Sequence, residues 1–161
     1  MTDEPAAELG DLLEQFVNRV SHQQGKTLSV LTDESVTLQQ VLLLRRVEQI
    51  GRCTPSEIAA RMHMSLPAVS QMIDRLFVLS LLVRTESQDD RRRKDVAVTP
   101  RGGRLLQRIR KARASEYAAG VAGLPPALRS DLAKMLRRAL AGLPEESEIL
   151  AGTASRTKIP G

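Results

Sequence analysis

The sequence predicts a chain that is mainly α-helical with one small β-hairpin wing past its middle. Three observations lead there. Apolar residues recur at three- and four-residue steps along most of the chain, and only two short runs, 81–85 and 95–99, read as β-prone. The 161 residues include no Trp, one Tyr and two Phe, so the core must come from Leu, Val, Ile and Ala, a mix that suits packed helices better than a sandwich.

The elements follow in order. Leu9, Leu12, Leu13, Phe16, Val17 and Val20 form one stripe of an amphipathic helix from about residue 7 to beyond 22. Residues 33–35 read as a turn. Thr37 with Gln40 is a capping-box pattern opening a helix over 38 to about 50, apolar at Val41, Leu42, Leu44 and Val47, and stopped by Gly51. Thr54-Pro55-Ser56-Glu57 is a second start signal, with a capping Thr, Pro at the first helical position and Glu closing the box. The helix it opens is short, 55 to about 62. His63-Met64 is the turn, Ser65 caps the next helix and Pro67 sits in its first turn, where a missing N–H costs nothing. This helix runs to about residue 79, with Val69, Met72, Ile73 and Leu76 toward the core and Ser70, Gln71, Asp74 and Arg75 on the other side. The two β-prone runs flank a charged loop, 87–94, which makes a hairpin with a basic tip. Thr99-Pro100 opens another helix, apolar at Leu105, Leu106, Ile109 and Ala112. After the break at Leu124-Pro125-Pro126, a last helix carries Leu128, Leu132, Met135, Leu136, Ala139 and Leu140 on one stripe. From Pro144 the periodicity ends, so 144–161 reads as a tail.

Composition narrows the function. The net charge is only +5, but residues 84–113 hold eleven Lys or Arg and four Asp or Glu, a local +7 that leaves −2 for the rest. A basic stretch on a mildly acidic chain points to a polyanion; its plainer reading is a solvated, arginine-rich helix face. No apolar run reaches the roughly 18 residues that span a bilayer. Asp3, Glu4 and Glu8 make the N-terminus acidic, unlike a signal peptide, so a cytoplasmic protein is expected. One cysteine excludes an internal disulfide, two histidines are too few for a metal or catalytic set, and no nucleophile–base pair or phosphate loop is present. Neither an enzyme nor a cofactor is expected.

A short helix, a three-residue turn and a second capped helix make a helix-turn-helix, and the hairpin directly after it makes a winged one. A wing with a basic tip reaches a minor groove beside the major groove that the second helix occupies. The residues that carry this reading also resemble the MarR (multiple antibiotic resistance regulator) family. Residues 36–43, Val-Thr-Leu-Gln-Gln-Val-Leu-Leu, are similar to its Leu-Thr-x-x-Gln entry to the second helix. Asp90-Arg91-Arg92, then Val96-Ala97-Val98-Thr99 and Arg101-Gly102, are similar to its Asp-x-Arg wing, closing strand and Thr-x-x-Gly helix start. The resemblance covers about 9–143, with its motifs in 36–103. It implies a homodimer, a recognition helix at about 66–79 and an effector cleft where two lobes meet. The single chain then divides into a winged helix-turn-helix lobe at 34–103 and a helical dimerisation lobe from 7–30 and 104–143, whose apolar stripes exceed what a winged helix alone buries. Ser80 departs from the family, which commonly has Gly there; at positive φ, Ser costs about 1 kcal/mol.

The resemblance places Arg92 in the minor groove, oriented by Asp90, against the alternative of a surface ion pair. Arg91, Arg93 and Lys94 would meet phosphates, adding affinity and salt dependence without sequence choice. On the recognition helix, Gln71 can pair with an adenine edge, Arg75 with a guanine or a phosphate, Ser70 with either kind of base, and Pro67 and Ala68 can touch a thymine methyl. Ser65 is first a cap, and Ser56 can meet the DNA backbone through a helix N-terminus. His22 and Arg46 are candidates for the effector cleft, with Arg46 suited to a carboxylate. The expected partners are double-stranded DNA with an imperfect palindrome, a second copy of the chain and, by resemblance, a small aromatic or amphipathic acid; no membrane is expected. The expected action is repression relieved by the effector. Two alternatives stay open: a redox-responsive regulator acting through Cys53, whose thiol Arg52 could acidify, and a helical interaction module whose basic wing meets an acidic protein.

Overall fold

The computed structural model describes residues 4–21, 25–86 and 94–144. Among them the elements run α1 (Glu4–Ser21), α2 (Lys26–Asp33), α3 (Leu38–Ile50), α4 (Pro55–Met62), α5 (Leu66–Val78), β1 (Leu82–Glu86), β2 (Lys94–Val98), α6 (Pro100–Val121) and α7 (Pro126–Gly142). The fold is mainly α with a small β wing. The chain divides into two compact units, one formed by 36–107 and the other by 4–35 with 108–140. Among the described residues, no helix is long and apolar enough to cross a membrane, and no cluster of His, Cys, Asp and Glu could hold a metal.

Unit 36–107 is a winged helix-turn-helix. Both capping boxes form: Thr37 accepts from the Gln40 amide while Gln40 accepts from the Thr37 amide, and Thr54 and Glu57 do the same. Gly51 ends α3 at φ 85°. The core brings together Leu43, Leu44 and Val47 of α3, Ile58 of α4, Val69, Ile73 and Leu76 of α5, Leu81 just before β1 and Val96 of β2. Leu42, expected inside, is half exposed, and Leu43 takes its place. At about 100° per residue, Leu43, Leu44, Val47 and Val41 share an arc that excludes Leu42. Met72 and Ala112 are only half-buried.

The strands pair antiparallel from Leu82↔Val98 to Glu86↔Lys94, one residue displaced from the expected runs, so Lys94 belongs to a strand and not to the loop. Cys53 adds a third ply: its amide donates to the Val96 carbonyl at 3.2 Å, and the Val96 amide donates to the Cys53 carbonyl at 2.8 Å. The hairpin base is thereby fixed to the α3–α4 turn.

The turn from α5 into β1 passes through Ser80 at φ 58°, the left-handed conformation in which Ser is strained. The Thr99 hydroxyl donates to the Ser80 carbonyl at 2.7 Å and accepts from the Gly102 amide at 3.0 Å, and the Thr99 amide donates to the Leu81 carbonyl at 3.1 Å. Gly102 lets α6 lie directly against this turn, since a Cβ there would stand 2.4 Å from the Leu81 carbonyl oxygen.

In the other unit, the expected single helix beyond residue 22 is two. α1 is described as far as Ser21, and α2 starts after Gly25, whose φ of 58° departs from the helical path. Gly25 has no side chain to cap α2. Glu116 of α6 does so instead, accepting from the Thr27 amide at 2.9 Å and the Thr27 hydroxyl at 2.7 Å. These donors hold the buried carboxyl below the usual carboxylate range. Gly120 brings α6 onto α1, where a Cβ would stand 2.6 Å from Val20 backbone atoms. On α1, Leu9, Leu12, Leu13 and Val17 are exposed, as are Leu128, Met135, Leu136 and Leu140 on α7.

Two substitutions test the α5–β1 turn in opposite directions. Ser80→Gly relieves the left-handed strain and should stabilise the protein by up to about 1 kcal/mol. Gly102→Ala forces a methyl into the Leu81 carbonyl and should destabilise it by about 1–3 kcal/mol. Urea unfolding midpoints of the two variants and the parent measure both.

Candidate nucleic-acid interface

The surface of α5 is set by what the helix buries. Ser65 caps it through the Ala68 amide, and Pro67 occupies its first turn. With Val69, Ile73 and Leu76 in the core, the helical repeat turns Pro67, Gln71, Asp74 and Val78 outward. Pro67, Gln71 and Arg75 are exposed, whereas Ala68 and Ser70 are half-buried at the flanks of the ridge. Ser65 is exposed, with its hydroxyl engaged in the cap. Ser56 is exposed in the first turn of α4. His63 ends that helix in a left-handed conformation, φ 52°, and is exposed.

Of the wing residues singled out from sequence, Lys94 is placed by its backbone in β2. Asp90, Arg91, Arg92 and Arg93 lie outside the described residues, as does His22. Arg46 is half-buried on α3.

Sequence reasoning missed one charged residue. Arg84 of β1 forms an ion pair with Asp74 of α5, and its guanidinium carbon lies 5.4 Å from the centroid of the Phe77 ring. A signal existed in the chain: Arg84 is the one charge in the apolar run 81–85, and Asp74 the one acid on the outward side of α5.

Comparison with known proteins follows the same outline. Residues 36–94 match the family model described as MarR family. Over this winged helix the chain is similar to the MarR family. MdtR of Bacillus subtilis, an HTH-type transcriptional repressor, is 33% identical over 97 residues, 58% of this chain and 63% of the relative. The transcriptional regulator Tm0710 of Thermotoga maritima superposes with a TM-score of 0.73 at 19% identity, over 84% of this chain and 93% of that one. A mutant of MepR from S. aureus, solved bound to an oligodeoxyribonucleotide, superposes with a TM-score of 0.59 at 19% identity, over 86% of this chain and 97% of that one. The chain thus has a winged-helix fold and is similar, over that fold, to transcription regulators of the MarR type.

Cys53 is poorly suited to sensing oxidants. It is 2% exposed, and burial, helped by Glu57 and Asp95, pushes its thiol up to about 11 from an ordinary value near 9. The acidification expected from Arg52 is not seen; Arg61 is the cation that opposes the rise. A thiol that holds its proton at neutral pH is a weak nucleophile. The raised value has a stability consequence. Between pH 9 and 11 the unfolded chain gives up the Cys53 proton while the folded protein keeps it. The stability advantage of the parent over Cys53→Ala should therefore shrink as pH rises through that window and stay constant below it, as measured by denaturation midpoints from pH 7 to 11.

Proposed function

We propose that the chain is a homodimeric, sequence-specific repressor that binds an imperfect palindrome in double-stranded DNA and leaves it when a small aromatic or amphipathic acid binds. The observation that carries this reading is the outward ridge of α5. It is held in place by a buried opposite face, presents Gln71 and Arg75 at its surface, and is followed at once by a basic wing. A helix so mounted enters a major groove with its front residues at base edges. Ser70 and Gln71 read bases, Arg75 reads a guanine or a phosphate, and Pro67 and Ala68 contact thymine methyls. Ser56, Ser65, Arg91, Arg93 and Lys94 meet the backbone, and Arg92, oriented by Asp90, enters the minor groove. The name of MdtR as a repressor and the DNA-bound state of MepR support the reading.

The exposed stripes of α1 and α7 support the dimer, because apolar faces of that length are covered in a stable protein. An apolar pocket of about 290 Å³, lined by Phe16, Val17, Val20, Tyr117, Leu132 and Leu136, adds to the surface a second copy would cover. Two recognition helices about 34 Å apart then match half-sites one DNA turn apart. Arg46 and His22 are assigned to the effector, Arg46 as the partner of its carboxylate.

Light scattering at micromolar concentration should give twice the chain mass; a monomer that binds the palindrome tightly would overturn the dimer. Titrations of variants against the operator and its single-base variants, at several salt concentrations, test the interface. Arg92→Ala should weaken binding by about 1–3 kcal/mol, most on A·T-rich flanks. Gln71→Ala should relax preference at one base pair per half-site with the salt slope unchanged, and Arg93→Ala should lower affinity on every sequence and reduce the slope by about one. Parent-like binding by Arg92→Ala at every salt concentration would remove the wing from the groove.

A further inference from the structure

The outward ridge of α5 carries one residue whose charge opposes the proposed partner. Asp74 lies one turn beyond Gln71 with its side chain 63% exposed; its ridge neighbours Pro67, Gln71 and Val78 are uncharged, and the exposed Arg75 next to it in sequence is turned about 100° round the helix. A bare carboxylate there would face phosphates at close range, where like charges strongly oppose association. The carboxylate is not bare. Arg84 reaches across from β1 to pair with it, and the same guanidinium lies over the Phe77 ring. Asp74 and Phe77 are three residues apart on α5 and so share one side of the helix, giving the guanidinium two fixed points on one turn. An ion pair this exposed contributes little to folding, so its effect is felt where another polyanion approaches.

We propose that Arg84 is a positioning residue for DNA recognition. It cancels the Asp74 carboxylate on the ridge that meets DNA and couples the first strand of the wing to the recognition helix, so that both meet the duplex in one fixed relation. The proposal rests on the DNA-binding reading of α5 given above. It requires that the loss of Arg84 harm binding because Asp74 is unmasked, and a double-mutant cycle isolates that dependence.

The experiment measures operator affinity and salt slope for the full chain as parent, Asp74→Asn, Arg84→Met, Arg84→Lys and the Asp74→Asn/Arg84→Met pair, with a thermal midpoint for each. Met keeps an apolar stem over Phe77 without the charge. Arg84→Met should bind at least about tenfold more weakly than the parent. Asp74→Asn should bind as tightly as the parent or tighter, and the double variant should return to within about threefold of it. Arg84→Lys, which keeps the charge, should lose less than Arg84→Met. An equal loss from Arg84→Met in the parent and Asp74→Asn backgrounds, with the slope lower by about one, would make Arg84 a direct phosphate contact and overturn the proposal. A loss that follows the thermal midpoint would make it structural and overturn it too. A parent protein that retains no fragment of its own genome at low salt overturns the DNA-binding reading itself, and the parent arm alone reveals this.

Discussion

Thr99 stands where α5, β1, β2 and α6 meet, and its side chain and amide together tie the four. The hydroxyl donates to the last turn before β1 and accepts from the first turn of α6, while the amide holds Leu81. Each partner is a backbone group that would otherwise be an unpaired helix end or turn. Loosening this point would release the end of α5, the start of the wing and the helix that leaves the winged lobe. The left-handed Ser80 is held at the same point: its carbonyl accepts from Thr99, and Gly102 keeps the space open for α6 to close over the turn.

What was legible in the sequence was what is decided within a few residues. Thr37 with Gln40 and Thr54 with Glu57 cap helices from three residues away, so the starts of α3 and α4 could be read directly, as could the Ser65 cap and the stop at Gly51. The roll of α5 followed from its apolar spacing, and with it the exposure of Gln71 and Arg75. The start of α2 was not legible, because Gly25 carries no cap and the group that replaces it, Glu116, is 89 residues away in sequence. The Cys53–Val96 bridge and the Asp74–Arg84 pair escaped for the same reason, since each depends on where a different element comes to rest. The choice between Leu42 and Leu43 needed the direction of the core as well as the period of the helix.

The two units stabilise themselves by different means. Among the described residues of the winged unit, Leu43, Leu44, Ile58, Ile73, Leu76, Leu81, Val47, Val69 and Val96 are fully buried, and they come from α3, α4, α5, the turn before β1, and β2. In the other unit the buried aliphatic residues are few, Val20 and Ile109 among them, and polar anchoring carries more of the structure: Glu116 on α2, Lys26 on Ser115 at 2.9 Å and Arg108 on Glu34. Small winged units can close on aliphatic packing alone, whereas the helices α1 and α7 leave a run of Leu exposed.

The helical unit is also discontinuous in the chain, since 4–35 and 108–140 are separated by the whole of the winged unit. Synthesis proceeds from the N-terminus, so α1 emerges first, yet the Gly120 that receives Val20 and the Glu116 that caps α2 emerge after every residue of the winged lobe. At about 5–20 residues per second, the first segment waits roughly 4–20 s for its partners. The winged lobe has all its parts during that interval and can fold on the ribosome, while Val20 and Thr27 still lack their partners on α6. The order in which the ribosome delivers the chain therefore makes the winged lobe the early product of biogenesis and the helical unit the late one.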